Sequence, residues 1–113
     1  MKIIKNLQAQ LFKNSEKCTL YEFDFEDRDM DCGKAIISGR YPDNGYCVNT
    51  KCKELIFIIE GNGFLQIEDK RIDFEKNDCI LINKNEKFYW NANCTAVIIC
   101  NPPFNKEQYK FVE

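Results

Sequence analysis

The fold is decided by residues 54–63 in the middle of the chain, with the sequence ELIFIIEGNG. Its first six residues contain five apolar side chains, and isoleucine and phenylalanine favour strands, so residues 54–59 are predicted to form one. Gly61 and Gly63 follow, and glycine adopts the positive φ values that tight turns require. We therefore predict a hairpin turn at residues 60–63 and a sheet with antiparallel neighbours.

The predicted strand is apolar on both of its faces. Because successive side chains point to opposite faces, Ile56 and Ile58 are expected to fill an interior. Leu55, Phe57 and Ile59 then lie on the other face, which an antiparallel strand usually exposes to water. Their cover is expected to be either a terminal segment of the chain or a second copy of the protein. We predict the second copy, and hence a homodimer.

Further short strands are predicted on both sides of this hairpin. They cover residues 18–25, 34–40, 46–49, 64–68, 71–74, 79–82, 87–91 and 95–100. Residues 106–112 predict at most a helical turn or two. Eight to ten short strands at this spacing indicate an all-β fold, a sandwich or a barrel, with one domain over residues 1–113.

The composition excludes several classes of function. The 113 residues include no histidine, so no mechanism that needs an imidazole is open to this chain. Sixteen basic residues stand against eighteen acidic ones, for a net charge of −2, which argues against a nucleic-acid partner. No apolar run approaches the roughly 20 residues that span a bilayer, so we also expect no membrane partner.

Seven cysteines raise the question of disulfide bonds. The segment from Met1 to Lys17 has no apolar core of a signal peptide, so the protein is expected to be cytoplasmic, where thiols stay reduced. Cys79, Cys94 and Cys100 lie in or beside apolar runs, where a free cysteine behaves as a small hydrophobic residue. We expect structural thiols here; a redox or nucleophilic role is the alternative.

The residues around this stretch resemble the first sequence motif of the small single-domain cupins. That motif reads His-x-His, three or four residues, Glu, six residues, Gly, and Glu54 and Gly61 have the right separation. The two histidine positions fall on Cys47 and Asn49. The resemblance covers residues 34–104 and implies a double-stranded β-helix, also called a jelly-roll or cupin barrel.

The second cupin motif would run over residues 77–92, where none of its five signature residues is retained. Asn77 and Asn85 replace turn residues, and asparagine tolerates a left-handed backbone better than most residues. Phe88 stands at the position of the motif's histidine. Another small β-barrel remains the alternative fold.

The resemblance places Cys47, Asn49, Glu54 and Phe88 at the four positions that hold a metal ion in metal-dependent cupins. A phenylalanine has no donor atom, and amide oxygens are weak ligands for transition metals. We therefore predict a barrel with no catalytic metal and no cofactor. The alternative is a soft metal ion bound by Cys47 and Glu54, with water completing the shell.

Glu54 is the candidate catalytic residue. A carboxyl group held in a partly apolar interior has a raised pKa and can act as a general acid or base. Alternatively, Glu54 pairs with Arg40, Lys53 or Tyr41 and only orders the rim of the barrel.

Phe88 and Trp90 share one face of their strand and could form an aromatic pocket beside Asn49 and Glu54. The alternative is an interior filled by its own side chains. The complete set of predicted ligand-binding residues is Arg40, Tyr41, Cys47, Asn49, Glu54, Phe88 and Trp90.

These observations predict a metal-free barrel that binds or senses a small organic molecule. An isomerase or lyase that uses Glu54 as acid and base is the first alternative. The metal-free sugar epimerases of the cupin superfamily resemble that alternative but rely on a histidine that this chain lacks. A protein-interaction module, with the second apolar strand face as its contact surface, is the other alternative.

Overall fold

A computed structural model describes residues 1–113 and contains nine strands in a single sheet. The strands are β1 (Gln10–Ser15), β2 (Cys18–Phe23), β3 (Asp31–Tyr41), β4 (Tyr46–Asn49), β5 (Lys53–Ile67), β6 (Lys70–Glu75), β7 (Cys79–Ile82), β8 (Lys87–Asn101) and β9 (Tyr109–Val112). Two single 3₁₀ turns, Asn6–Gln8 and Lys106–Gln108, are the only helical segments. The predicted all-β class is confirmed. Neither helical segment has the length or the apolar character needed to cross a membrane.

Strand β8 is the spine of the sheet. Over its 15 residues it pairs with β3 and then β4 along one edge and with β5 along the other. Strand β5 is equally long and carries β6 and β7 on its far edge. All pairings are antiparallel, in the order β1-β2-β3-β8-β4-β9 with β5 beside β8. Two long central strands let the twisted sheet curl around an interior.

The predicted hairpin turn at residues 60–63 is wrong. Strand β5 continues through this segment and remains paired with β8, for example at Asn62 and Asn93. Gly61 has φ +88°, and a side chain there would collide with the carbonyl oxygen of Asn93. These glycines therefore serve a β-bulge and a close approach of two backbones, which require the same freedom as a turn.

The bulge in β5 changes which residues face inward. Its register against β8 shifts between Ile58 and Glu60. Before the shift the even-numbered residues Ile56 and Ile58 are fully buried, as predicted, and after it the odd-numbered Leu65 is fully buried. One inserted residue thus bends the strand and keeps an apolar side chain in the interior on both sides of the bend.

Other boundaries differ from the sequence prediction in smaller ways. Residues 87–91 and 95–100 belong to the single strand β8, because the inward positions continue through Ala92 and Cys94. The predicted hairpin between residues 64–68 and 71–74 is present, with Glu68 at φ 53° in its turn.

Differences also occur near the ends of the chain. Strand β1 was not predicted, because five of its six residues are exposed and give no burial pattern. Residues 106–112 form one 3₁₀ turn, as expected, and then the unexpected strand β9. Asn77 and Asn85 have φ values of 76° and 67°, which agrees with their predicted left-handed backbone.

The outward face of the central strands is apolar and open to solvent. Leu81, Leu55 and Ile99 form one row across β7, β5 and β8, with Phe57 and Val97 in the next row. The exposed fractions of Leu81, Leu55 and Phe57 are 50%, 43% and 41%. We call these five residues the outer apolar face.

The N-terminal segment does not cover this face. It is held beside β2 and β3 instead, where the Lys2 ammonium donates to the carbonyl oxygen of Phe25 and Lys34 donates to Asn6. The C-terminal strand β9 pairs with β4 and not with β5 or β7. Neither terminal segment is therefore the cover that was expected for this face.

Candidate functional site

The concave side of the curled sheet holds a cavity of about 590 Å³. Strands β1, β2, β3, β5 and β8 form its walls, and residues 104–111 lie along one side. Fourteen of the 21 lining residues are hydrophobic, which leaves a small number of polar groups facing the same volume. The concave side of the sheet therefore holds an open pocket, beside a packed core that includes Ile56, Ile58 and Leu65.

Small side chains at inward positions leave this space. Gly33 and Ala35 line the cavity from β3, and Ala35 lies directly opposite the fully buried Ala96 of β8. Larger inward residues at these positions would fill the interior, as isoleucine does at Ile56 in β5. The bulky inward side chains, such as Ile56, therefore lie outside the part of β3 that contains Gly33 and Ala35.

Glu54 lies near the start of β5 and lines the cavity. Only 6% of the residue is exposed. The side-chain amide of Asn49 donates a hydrogen bond of 2.6 Å to its Oε2 atom. Burial raises the pKa of Glu54 to about 7; the bond from Asn49 lowers it, and the nearby charge of Asp31 adds to the rise.

The second oxygen of Glu54 is available to a ligand. Oε1 accepts no hydrogen bond from the protein. Every side-chain oxygen or nitrogen atom that is shut off from solvent in this structure has a hydrogen-bond partner. Oε1 must therefore be open to the cavity that Glu54 lines. A carboxyl group with one fixed and one free oxygen is oriented and still able to exchange a proton.

Asn49 is held in place by Gln108. Gln108 donates to the Oδ1 atom of Asn49 at 2.8 Å and accepts the backbone N–H groups of Lys51 and Cys52. Both Asn49 and Gln108 are almost fully buried. This network fixes the face that Asn49 presents to Glu54, since its amide nitrogen must be the donor. No sequence signal marked Gln108, which lies in a short turn far from Glu54 in the chain.

Three further predicted ligand-binding residues line the cavity: Tyr41, Phe88 and Trp90. The Tyr41 hydroxyl shares a 3.3 Å hydrogen bond with the hydroxyl of Tyr109. Burial raises the pKa of Tyr41 to about 12, so this phenol keeps its proton near neutral pH. Trp90 packs edge-on against Phe74, which fixes its ring in the wall.

The other predicted ligand-binding residues, Arg40, Cys47 and Asn49, do not line the cavity. Arg40 stacks at 3.8 Å on the ring of Tyr89 and donates to backbone carbonyl groups of the 42–45 turn. The fully buried thiol of Cys47 donates to the carbonyl oxygen of Phe88. Asn49 lies behind Glu54 and acts on the cavity through it.

Glu54 does not pair with Arg40, Lys53 or Tyr41, so that alternative is wrong. Its partner is Asn49. The only cation with a place in the cavity wall is Lys106, which belongs to the 3₁₀ turn before β9.

Sequence reasoning missed two cavity acids, Glu22 and Asp31. Strand β2 alternates between the aromatic residues Tyr21 and Phe23 and a second set that contains Cys18, Leu20 and Glu22. The second set lines the cavity. Burial raises the pKa of both acids; charges on Asp31 and Asp24 add to the rise at Glu22.

The residues at the cupin metal positions do not fit a metal ion. The thiol of Cys47 and the amide of Asn49 are both engaged in hydrogen bonds within the protein. Phe88 presents only a ring. Nowhere in residues 1–113 do three or more histidine, cysteine, aspartate or glutamate side chains converge as a metal site would require. We therefore derive no chemistry through a metal.

No known family profile matches the chain, and no curated protein sequence matches it significantly. Among solved structures, it is similar to Streptomyces Pac13 with uridine, at 14% identity and a TM-score of 0.87, covering 96% of this chain and 88% of the other. A second structure of Pac13, a nucleoside dehydratase, has 13% identity and a TM-score of 0.90, covering 100% and 92%. KdgF from Halomonas sp. has 8% identity and a TM-score of 0.78, covering 95% and 98%. These likenesses confirm the predicted jelly-roll barrel of the cupin type.

The raised pKa of Glu54 predicts a pH dependence of stability. Between about pH 4.5 and pH 7 the native protein keeps this proton, whereas the unfolded chain has lost it. The free energy of unfolding should therefore fall as the pH rises through this range, by about 3 kcal/mol from Glu54. Glu54→Gln removes that contribution, so urea midpoints at pH 5 and pH 8 should differ less than in the wild type.

The matched control for this measurement is Glu60→Gln. Glu60 is exposed and pairs with Lys76 at the surface, so its replacement should leave the pH dependence unchanged. Glu22 and Asp31 remain in both variants and keep part of the slope. A Glu54→Gln protein with the full wild-type pH dependence would contradict the assignment.

Proposed function

Because the chain is a cupin-type jelly-roll barrel with an open interior, we propose that it binds a small organic molecule there and acts on it as an acid–base enzyme. The reaction class is that of an isomerase or a lyase. The observation that carries this proposal is Glu54, a buried carboxyl group with its free oxygen in the cavity and a pKa raised to about 7.

The cavity has the character of a small-molecule site. Its volume of about 590 Å³ lies within the range of roughly 300–1,000 Å³ that ligand pockets occupy. Trp90, Phe88 and Tyr41 supply apolar area, while Glu54 and the tyrosine hydroxyl groups supply direction. An apolar wall with a few polar groups is typical of a small-molecule binding site, and it supports binding even if no reaction follows.

Acid–base catalysis is most effective when the pKa of the catalytic group lies near the working pH. Glu54 meets that condition because burial disfavours its charged form. Its Oε1 atom can take a proton from a bound molecule and return it elsewhere, which is an isomerisation. It can equally deliver the proton to a departing hydroxyl group, which is a dehydration. The neutral Tyr41 hydroxyl is placed in the same wall to donate to an oxygen of the ligand.

Enzymes with this fold give the proposal a context. Pac13 is a nucleoside dehydratase, and other similar structures are an ectoine synthase from P. lautus and the polyketide cyclase RemF from Streptomyces resistomycificus. Their sequence identities to this chain are 12–13%, so the substrates of these enzymes are not transferred. The proposal for this chain depends on its own Glu54.

We propose that the protein works in a reducing compartment, the cytoplasm. All seven cysteines are unpaired, and five of them are buried. Burial raises the pKa of Cys18 and Cys94 to about 11, which keeps these thiols protonated and unreactive. This supports the structural role that the sequence analysis expected for them.

We also propose that the protein is a homodimer that buries the outer apolar face. The row that contains Leu55 and Ile99 crosses sheet strands that are spaced about 4.8 Å apart. The five residues of the outer apolar face lie on the three adjacent strands β7, β5 and β8, and Leu81, Leu55 and Phe57 are 50%, 43% and 41% exposed. A contiguous exposed apolar patch of this kind is typical of a contact surface between protein chains. A second copy offers the same flat face, as two-fold symmetry requires.

The dimer is tested by light scattering after size exclusion. The wild type should have twice the mass of the chain, and Leu55→Glu should be monomeric and folded because the side chain is exposed. Lys70→Gln, which lowers the net charge by the same one unit at an exposed position in the β6 hairpin, should remain dimeric. A wild-type monomer at high concentration would overturn the dimer, and a monomer that binds a different protein there would favour an interaction module.

The enzyme proposal is tested by proton exchange with heavy water. Nucleosides, sugars and hydroxyketones are incubated with the protein in D₂O, and solvent deuterium at carbon is followed by NMR. At least one class should exchange or react, and Glu54→Gln should slow it by about 100-fold or more, since a positioned acid or base contributes that much. Glu60→Gln should retain the wild-type rate.

Two results would contradict the enzyme proposal. One is an unchanged rate in Glu54→Gln. The other is a set of compounds that bind in the cavity without any exchange, which would leave binding or sensing as the function.

A further inference from the structure

The cavity carries more negative groups than positive ones. Glu22, Asp31 and Glu54 all line it, whereas Lys106 is the only basic residue in the wall. They come from three different strands, β2, β3 and β5. This excess is unlike the near-balance of charge in the chain as a whole.

The strand register brings the three carboxyl groups to one end of the barrel. Asp31 and Glu54 both lie opposite Cys100 of β8, one on each side. Their backbones are therefore about 10 Å apart, which is two strand spacings. Glu22 lies opposite Gly33, two residues along β3 from Asp31, and so is its diagonal neighbour. Gly33 has no side chain, and the side chain of Leu20 packs over it.

None of these acids has a cationic partner in the protein. The ion pairs of the structure join Lys13 to Glu16, Arg71 to Asp73 and Lys76 to Glu60, all at the surface. One oxygen of Asp31 accepts the backbone N–H of Phe104, and one oxygen of Glu54 accepts the amide of Asn49. Neither bond neutralises the charge.

Glu54 itself points to a ligand. It is more than nine-tenths buried, and its Oε1 atom has no donor and opens to the cavity. Buried carboxylates are normally paired with a cation or neutralised by a proton. In the empty cavity a proton serves this purpose at Glu54 below about pH 7, since burial and the nearby charge of Asp31 raise its pKa to about 7. A bound positive charge would replace that proton.

The remaining walls suit the rest of such a molecule. Phe88, Trp90 and Phe104 line the cavity with aromatic rings. Aromatic faces attract cations and also pack against flat apolar groups. The site thus combines a negative end with an apolar, aromatic body.

We propose that the molecule bound in the barrel is a small organic cation, an amine or amidine carried on a flat or apolar body. This inference rests on the proposed function and specifies its substrate class. Its positive group lies among Glu22, Asp31 and Glu54, and its body lies against the aromatic wall. A neutral polyol, bound by protonated carboxyl groups, is the competing ligand class.

Three probes of one shape separate these classes: 2-phenylethylamine, 2-phenylethanol and phenylacetate, which are a cation, a neutral molecule and an anion. Trp90 is the only tryptophan of the chain and lines the cavity, so its fluorescence reports binding directly. The amine should bind about tenfold more tightly than the alcohol, as a charge-assisted hydrogen bond allows. Phenylacetate should bind most weakly.

Matched variants locate the preference. Asp31→Asn keeps an oxygen to accept the Phe104 N–H, and Glu54→Gln keeps one for Asn49. Each should weaken amine binding about five- to tenfold and leave alcohol binding unchanged, because only the charge is removed. Asp69→Asn, in an exposed turn of the β6 hairpin, should bind all three probes as the wild type does.

The outcomes distinguish this inference from the proposed function. Alcohol or acid binding at least as tight as amine binding would overturn the cationic ligand, while the deuterium-exchange test of Glu54 would stand or fall separately. Failure of the amine to bind, or an amine preference that survives in both Asp31→Asn and Glu54→Gln, would overturn it as well.

Discussion

The hydrogen bond between Asn49 and Glu54 is the interaction on which the rest of the site depends. At 2.6 Å it joins the end of β4 to the start of β5, and Gln108 extends it to the turn before β9. Three separate parts of the chain thereby meet around one buried carboxyl group. Loss of any partner would leave buried polar atoms unpaired, which typically costs about 1–3 kcal/mol for each group. The same bond leaves the Oε1 atom of Glu54 free of protein hydrogen bonds. It therefore also fixes the orientation of the carboxyl group in the cavity.

The cavity follows from two constraints on the sheet. Strands β5 and β8 are long enough to curl, and the bulge at residues 58–60 keeps apolar residues inward along all of β5. A small inward residue such as Ala35 then leaves room in the interior. A chain of this size buries enough apolar surface to fold while keeping an open interior. Burial in these apolar surroundings raises the pKa values of Glu54, Glu22 and Asp31.

Much of this structure could be predicted from the sequence, because inward and outward side chains alternate along a strand and apolar residues mark the buried face. The all-β class, the burial of Ile56 and Ile58 and the place of Glu54 in the barrel followed from such patterns and from the cupin resemblance. The hairpin at residues 60–63 was wrong because glycine serves a bulge and a turn equally well. Asp31 and Gln108 escaped notice because polar residues in an acidic segment or a short turn usually face water. Only their contacts with distant residues, with Phe104 for Asp31 and with Asn49 for Gln108, show that both are buried.

The most direct test of this account is the titration of Glu54 itself. Isotope-labelled glutamate side chains are followed by NMR from pH 4 to pH 9, and Glu54→Gln identifies the signal. The account predicts that this carboxyl group titrates with a pKa of about 7 and that 2-phenylethylamine lowers this value. A Glu54 that titrates near the ordinary pKa of glutamate, about 4.3, would contradict both the acid–base role and the burial on which it depends.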